Sequence, residues 1–229
     1  TINGNFSFTN NTAGNTSLGN LAYKTGILGT IDINAAYVTP GLFIMHRLFN
    51  LSGGGNVSIQ QSQGFDIVND SLLVGSLSVI GYRGSAYGRL LNNSITGNVT
   101  IEDDASFTAG FLTYIRNNVI TGNSQFTNNS SNAMLDADIA ESGNRYNGNL
   151  SYTRTNGSII TALNDSNEIS VNLTLNSASN IGLGSWVFNG NTNGILEQLA
   201  SQPVSMASLT MHKDAGATLT LNDPVTIIN

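Results

Sequence analysis

Gly97-Asn98-Val99-Thr100-Ile101 is one copy of a string that recurs along the chain: glycine, asparagine, an apolar residue, serine or threonine, then a second apolar residue. The same string stands at Gly4-Asn5-Phe6-Ser7-Phe8, Gly55-Asn56-Val57-Ser58-Ile59 and Gly148-Asn149-Leu150-Ser151-Tyr152. Looser copies begin at Gly29, Gly75, Gly122, Val171 and Ala217. Successive copies start 20 to 26 residues apart, apart from a final interval of 46, which is twice 23. Such even spacing of one strand type is the mark of a solenoid, in which each coil climbs one strand spacing and returns to the same place.

Read as one rung, the string makes physical sense. Its two apolar residues are two apart and share a face. This predicts inward columns through Ile31, Val57, Leu77 and Val99, and through Ile33, Ile59, Val79 and Ile101, with Leu219 stacked in the column of Leu173. The serine or threonine between them faces water. Glycine is expected to supply the backbone conformation of a tight corner, and stacked asparagines to form amide ladders. Second strands are expected at 107–115, 118–121, 133–139, 158–163 and 184–188. The reading is an all-β parallel β-solenoid of about nine or ten coils in one domain, 1–229, with a β-sandwich filament subunit as the alternative. Two segments depart from the pattern. Residues 37–50 read as a longer turn or protruding loop. Residues 194–202, with Ile195, Leu196, Leu199 and Ala200, read as a short helix that Pro203 stops.

Composition agrees. The chain has 229 residues, no cysteine, 3 prolines, 10% charged residues and a net charge of −6. Its 33 asparagines, 25 serines and 22 threonines disfavour helix interiors, which excludes an all-α fold. With 40% apolar residues it is too hydrophobic and too weakly charged for a disordered chain. Eight lysines and arginines, scattered singly, argue against a nucleic-acid partner. No apolar run is long enough to span a bilayer as a helix. The start at Thr1 suggests a processed chain or a fragment.

Candidate chemistry is sparse. Asp136 and Asp138 are placed on one exposed strand face, about 7 Å apart, by the inward alternation of Leu135, Ala137 and Ile139. That spacing suits an inverting glycosidase or lyase pair, but a solvated acidic face, which produces the same geometry on any exposed strand, is the favoured reading. Tyr82, Arg83, Tyr87 and Arg89 form a glycine-rich aromatic-basic stretch that reads as an exposed loop able to stack on sugars or contact a protein. His46 and His212 lie far apart in the chain without a partner motif, and Trp186 reads as packing. No metal or cofactor signature is found. Asn5, Asn56, Asn98, Asn149 and Asn172 are N-glycosylation sequons that the repeat itself generates.

The Gly-Asn-Val-Thr-Ile rungs, the Phe-Thr-Asn-Asn corners at Phe8-Thr9-Asn10-Asn11 and Phe126-Thr127-Asn128-Asn129, and Ala217-Thr218-Leu219-Thr220-Leu221-Asn222 resemble bacterial surface β-helices. These are the passenger regions of autotransporters and haemagglutinin-like exoproteins. The resemblance implies a non-enzymatic, extracellular or cell-surface stalk. Its partner would be a host or neighbouring cell-surface protein or glycan. Two alternatives stand beside this expectation. One is a secreted filament subunit that polymerises with itself by strand addition at 1–11 or 217–229. The other is a polysaccharide-cleaving β-helix, such as a phage tailspike, using Asp136 and Asp138.

Overall fold

The alternation produces strands that stack in parallel. A computed structural model describes residues 1–11, 14–19, 22–38, 41–50, 54–69, 71–73, 75–82, 88–106, 113–131, 133–136, 143–156, 158–161, 166–178, 181–200 and 203–228. One ten-stranded sheet contains Phe6–Asn10, Ile31–Ala36, Val57–Gln60, Leu77–Tyr82, Val99–Asp103, Ser124–Asn128, Leu150–Arg154, Leu173–Ser177, Gly194–Gln198 and Leu219–Leu221, stacked in chain order. A seventeen-stranded sheet closes the coil with two rows. One row runs through Leu42–His46, Gly64–Val68, Gly88–Leu91, Thr113–Arg116 and Ala133–Asp136. The other runs through Ser94–Ile95, Val119–Ile120, Arg145–Tyr146 and Asn167–Ile169. Both rows merge in the long strand Gly182–Gly190, which Val204–Lys213 then continues. The fold is an all-β parallel β-solenoid.

No helix occurs among the described residues, which corrects the helix expected at 194–202. Gly194–Gln198 is instead a rung, paired with Leu173–Ser177 on one side and Leu219–Leu221 on the other. Its inward positions are Gly194, Leu196 and Gln198. Gln198 disguised the alternation, and its carboxamide is satisfied by the backbone N–H and C=O of Ser177 at 3.4 and 3.3 Å. Residues 37–50 likewise contain two ordinary strands, Leu42–His46 and Leu48–Asn50.

The glycines of the motif are required by close stacking. A Cβ on Gly97 would fall 1.0 Å from the carbonyl oxygen of Gly75, and one on Gly75 would fall 1.3 Å from that of Gly55. The obstructing atom is backbone in each case, and it cannot swing aside as the end of a flexible side chain can. The expected amide ladder also forms. Oδ1 of Asn98 accepts from the N–H of Asn123 at 2.8 Å, and Oδ1 of Asn123 accepts from Asn149 at 3.0 Å.

Register differs from the expected columns at two steps. Val57 pairs with Ile33 instead of Ile31, and Leu219 pairs with Gly194, so that Leu221 continues the column of Leu196 and Leu173. A two-residue slip preserves which face is buried. At each slip a side chain moves into the vacated corner: Asp32 accepts from the N–H of Asn56 at 3.2 Å, and Asn193 from that of Thr218 at 3.0 Å.

Aromatic side chains bridge the interior. Phe126 packs on Tyr152 at 5.7 Å between centroids, Tyr152 on Trp186 at 6.3 Å, and Phe65 on Tyr82 at 5.1 Å. Two of these rings also place a polar atom on a partner in another strand row, as burial favours. The Tyr82 hydroxyl meets Thr113 Oγ1 at 2.5 Å, and Trp186 Nε1 donates to Thr161 Oγ1 at 3.0 Å.

Candidate functional site

Asp136 is wholly buried and belongs to the interior. The strand Ala133–Asp136 pairs Met134 with Thr113 and Ile159, and Asp136 with Ile115 and Thr161, all buried positions. The inward set is therefore Met134 and Asp136, which corrects the parity read from Leu135. The carboxylate accepts from the Tyr146 hydroxyl at 2.8 Å, from the Tyr152 hydroxyl and from Asn144 Nδ2. Burial pushes its pKa up to about 6, against the opposing pull of these donors. The same burial, with the Asp136 charge beside them, drives both tyrosines well above their ordinary value. A substrate on the outer surface cannot touch this group. Asp138 lies outside the described residues.

The aromatic-basic stretch is divided. Tyr82, expected in an exposed loop, is a core residue packed on Phe65. Arg83 and Tyr87 lie outside the described residues. Arg89 faces outward from Gly88–Leu91 and grips Asp66 through Nε at 3.0 Å and Nη2 at 2.5 Å. His46 Nε2 stands 3.1 Å from the same carboxylate. Beside Arg89 in register is Tyr114, with the Arg116 guanidinium 4.2 Å above its ring. This pairing was missed because the residues are a coil apart in sequence.

Two adjoining rows of amides form the next corner. Arg47, Asn69, Asn92 and Asn117 all adopt left-handed backbone, with φ of 55°, 59°, 58° and 51°. Asparagine tolerates that region better than other side chains with a Cβ. The residues that follow at two of these corners, Asn93 and Asn118, turn inward and head a buried ladder through Asn144 to Asn167. The Asn93 amide donates to Asn118 Oδ1, Asn118 to Asn144, and Asn144 to Asn167. The Asn-Asn pairs at 92–93 and 117–118, 25 residues apart, were a readable signal of this corner.

The outward face of the ten-stranded sheet carries Asn34, Ser58, Ser78, Thr100, Gln125, Ser151 and Thr174 in register. At its margin the sequon residues Asn5, Asn56, Asn98 and Asn149 are exposed, and Asn172 is half-buried. Oδ1 of Asn5, Asn56, Asn98 and Asn172 already accepts a backbone N–H from the next coil.

A third polar network follows the last coils. Arg145 Nε donates to Glu168 at 2.7 Å, and Asn189 Nδ2 donates to the same carboxylate at 3.0 Å. The Lys213 ammonium sits among the backbone carbonyls of Ser170, Asn189 and Thr192 at 2.7, 2.8 and 2.9 Å. Desolvation lowers its pKa, and the nearby Asp214 charge opposes that shift. Among the described residues, no three His, Cys, Asp or Glu side chains gather as a metal site. Comparison with family models, with curated proteins and with solved structures finds no match to this chain.

Proposed function

We propose that the chain is a non-enzymatic, extracellular recognition scaffold of adhesin type, whose coils present polar side chains to a cell-surface protein or glycan. The observation that carries this reading is the outward row Asn34, Ser58, Ser78, Thr100, Gln125, Ser151 and Thr174, held in register by the ten-stranded sheet. Hydroxyl and amide groups fixed at strand spacing lose little freedom on binding. Burial of Asp136 supports this reading over polysaccharide cleavage by the acid pair.

Retention of the purified protein on intact cells tests the proposal, with reducing-end release from polysaccharides measured in parallel. Saturable retention, weakened when Ser58, Thr100 and Ser151 are all changed to lysine, is the expected result. Catalytic release of oligosaccharides would overturn it. Filaments that lengthen with protein concentration would replace a foreign partner with a second copy of the chain.

A further inference from the structure

The left-handed corner opens, at its early coils, into a groove of about 290 Å³ lined by Lys24, Arg47, Phe49, Asn69 and Asn92. We propose that this groove binds a glycan bearing a carboxylate. The proposal rests on the recognition reading above and assigns the ligand class to one site.

Charge is the first support. Where other cations of this acidic chain are occupied (Arg89 by Asp66, Arg145 by Glu168, Lys213 by three carbonyls), Lys24 and Arg47 meet no carboxylate among the described residues. The Lys24 ammonium instead lies 5.1 Å from the centroid of the Phe49 ring, which fixes its position without cancelling its charge. Two cations with no carboxylate partner among the described residues, at one corner of a chain with net charge −6, make a local anion site within a repelling field.

The amides supply the second support. Asn92 Oδ1 is taken by Asn117 Nδ2 at 2.7 Å, which leaves Asn92 Nδ2 as a donor without a protein partner among the described residues. Asn69 carries its whole carboxamide unpartnered there. Free amide donors and acceptors match sugar hydroxyls, and the guanidinium matches a carboxylate through paired N–H bonds. Tyr23, next to Lys24, is 75% exposed and offers a ring for stacking against a sugar face. Arg47, Asn69, Asn92 and Asn117 succeed one another by about 4.8 Å, the strand spacing. An extended glycan has a similar repeat, so one sugar per coil fits the row.

Titration of the full chain with oligogalacturonate, sialyllactose and neutral maltohexaose tests the assignment. Oligogalacturonate carries carboxylates within the chain and sialyllactose carries one at its end, so the two separate the sources of the acid. The wild type is expected to bind one acidic probe more weakly as salt rises and to leave maltohexaose unbound. The double variant Lys24→Gln/Arg47→Asn should lose about tenfold in affinity or more. It should stay folded, because asparagine already occupies the same corner at 69, 92 and 117. Failure of both acidic probes, or equal affinity in the double variant, overturns the proposal. Retention on cells that persists in the double variant would leave the recognition scaffold standing and remove this corner from it. Acidic-glycan binding without cell retention would do the reverse.

Discussion

The hydroxyl of Tyr152, on the ten-stranded sheet, donates to the carboxylate of Asp136 on the facing row. Tyr146 and Asn144 complete the cage. With a folded pKa near 6 against an ordinary 3.8, Asp136 binds its proton more tightly when folded. Its stabilising contribution is therefore complete below about pH 4 and is lost as pH rises through 6. The difference amounts to about 2 kcal/mol at pH 7 relative to pH 4. Denaturation of wild type and Asp136→Asn across this range should show the wild type losing stability with pH more steeply than the variant. Parallel pH profiles would refute the assignment.

The two amide ladders should respond unequally to truncation. Asn118 makes four hydrogen bonds in a dry interior, to Asn93, Asn144 and the Leu90 carbonyl. Asn118→Ala strands these partners and is expected to cost about 3 kcal/mol. Asn98→Ala removes one exposed bond to Asn123, at a cost of about 1 kcal/mol. Equal losses in urea denaturation would mean that the buried ladder is no more than packing.

Gly97→Ala is expected to lower stability by about 3 kcal/mol or more, since the new methyl collides with the backbone of Gly75. The transition should also broaden as the coils on either side lose their common register. A change below about 1 kcal/mol would show that the glycine column is less tightly stacked.

Lys213→Met keeps the length of the side chain and removes the ammonium from three carbonyls. A loss of about 1–2 kcal/mol is expected. Hydrogen exchange should rise at Asp214 and Gly194, whose amides bond to Gly190 and Thr218 across the same corner. Unchanged exchange at both would exclude a clamping role.

The fold was legible because the repeat prints its own period, and the stacked glycines and corner asparagines tolerate few replacements. The slips at Asp32 and Asn193 were hidden, because a two-residue shift leaves the alternation intact. Gln198 and Asp136 misled for one common reason: each is polar, faces inward, and is satisfied by partners 8 to 21 residues away that no local pattern announces. The candidate site was less visible still. Lys24 and Arg47 line one groove from adjoining coils, while Tyr82 and Arg89, seven residues apart, part company, one into the core and one onto the surface.

The two asparagine ladders run in opposite senses along the axis. At the outer corner each side-chain carbonyl accepts from the following coil, as Asn98 does from Asn123; inside, each accepts from the preceding coil, as Asn118 does from Asn93. Their carbonyl dipoles therefore point in opposite axial directions and offset one another. Extending both ladders by a further coil would add a dipole to each row and little to the net moment. A helix leaves a single sign of partial charge at each end, whereas these opposed ladders leave both signs at each end, one at each corner.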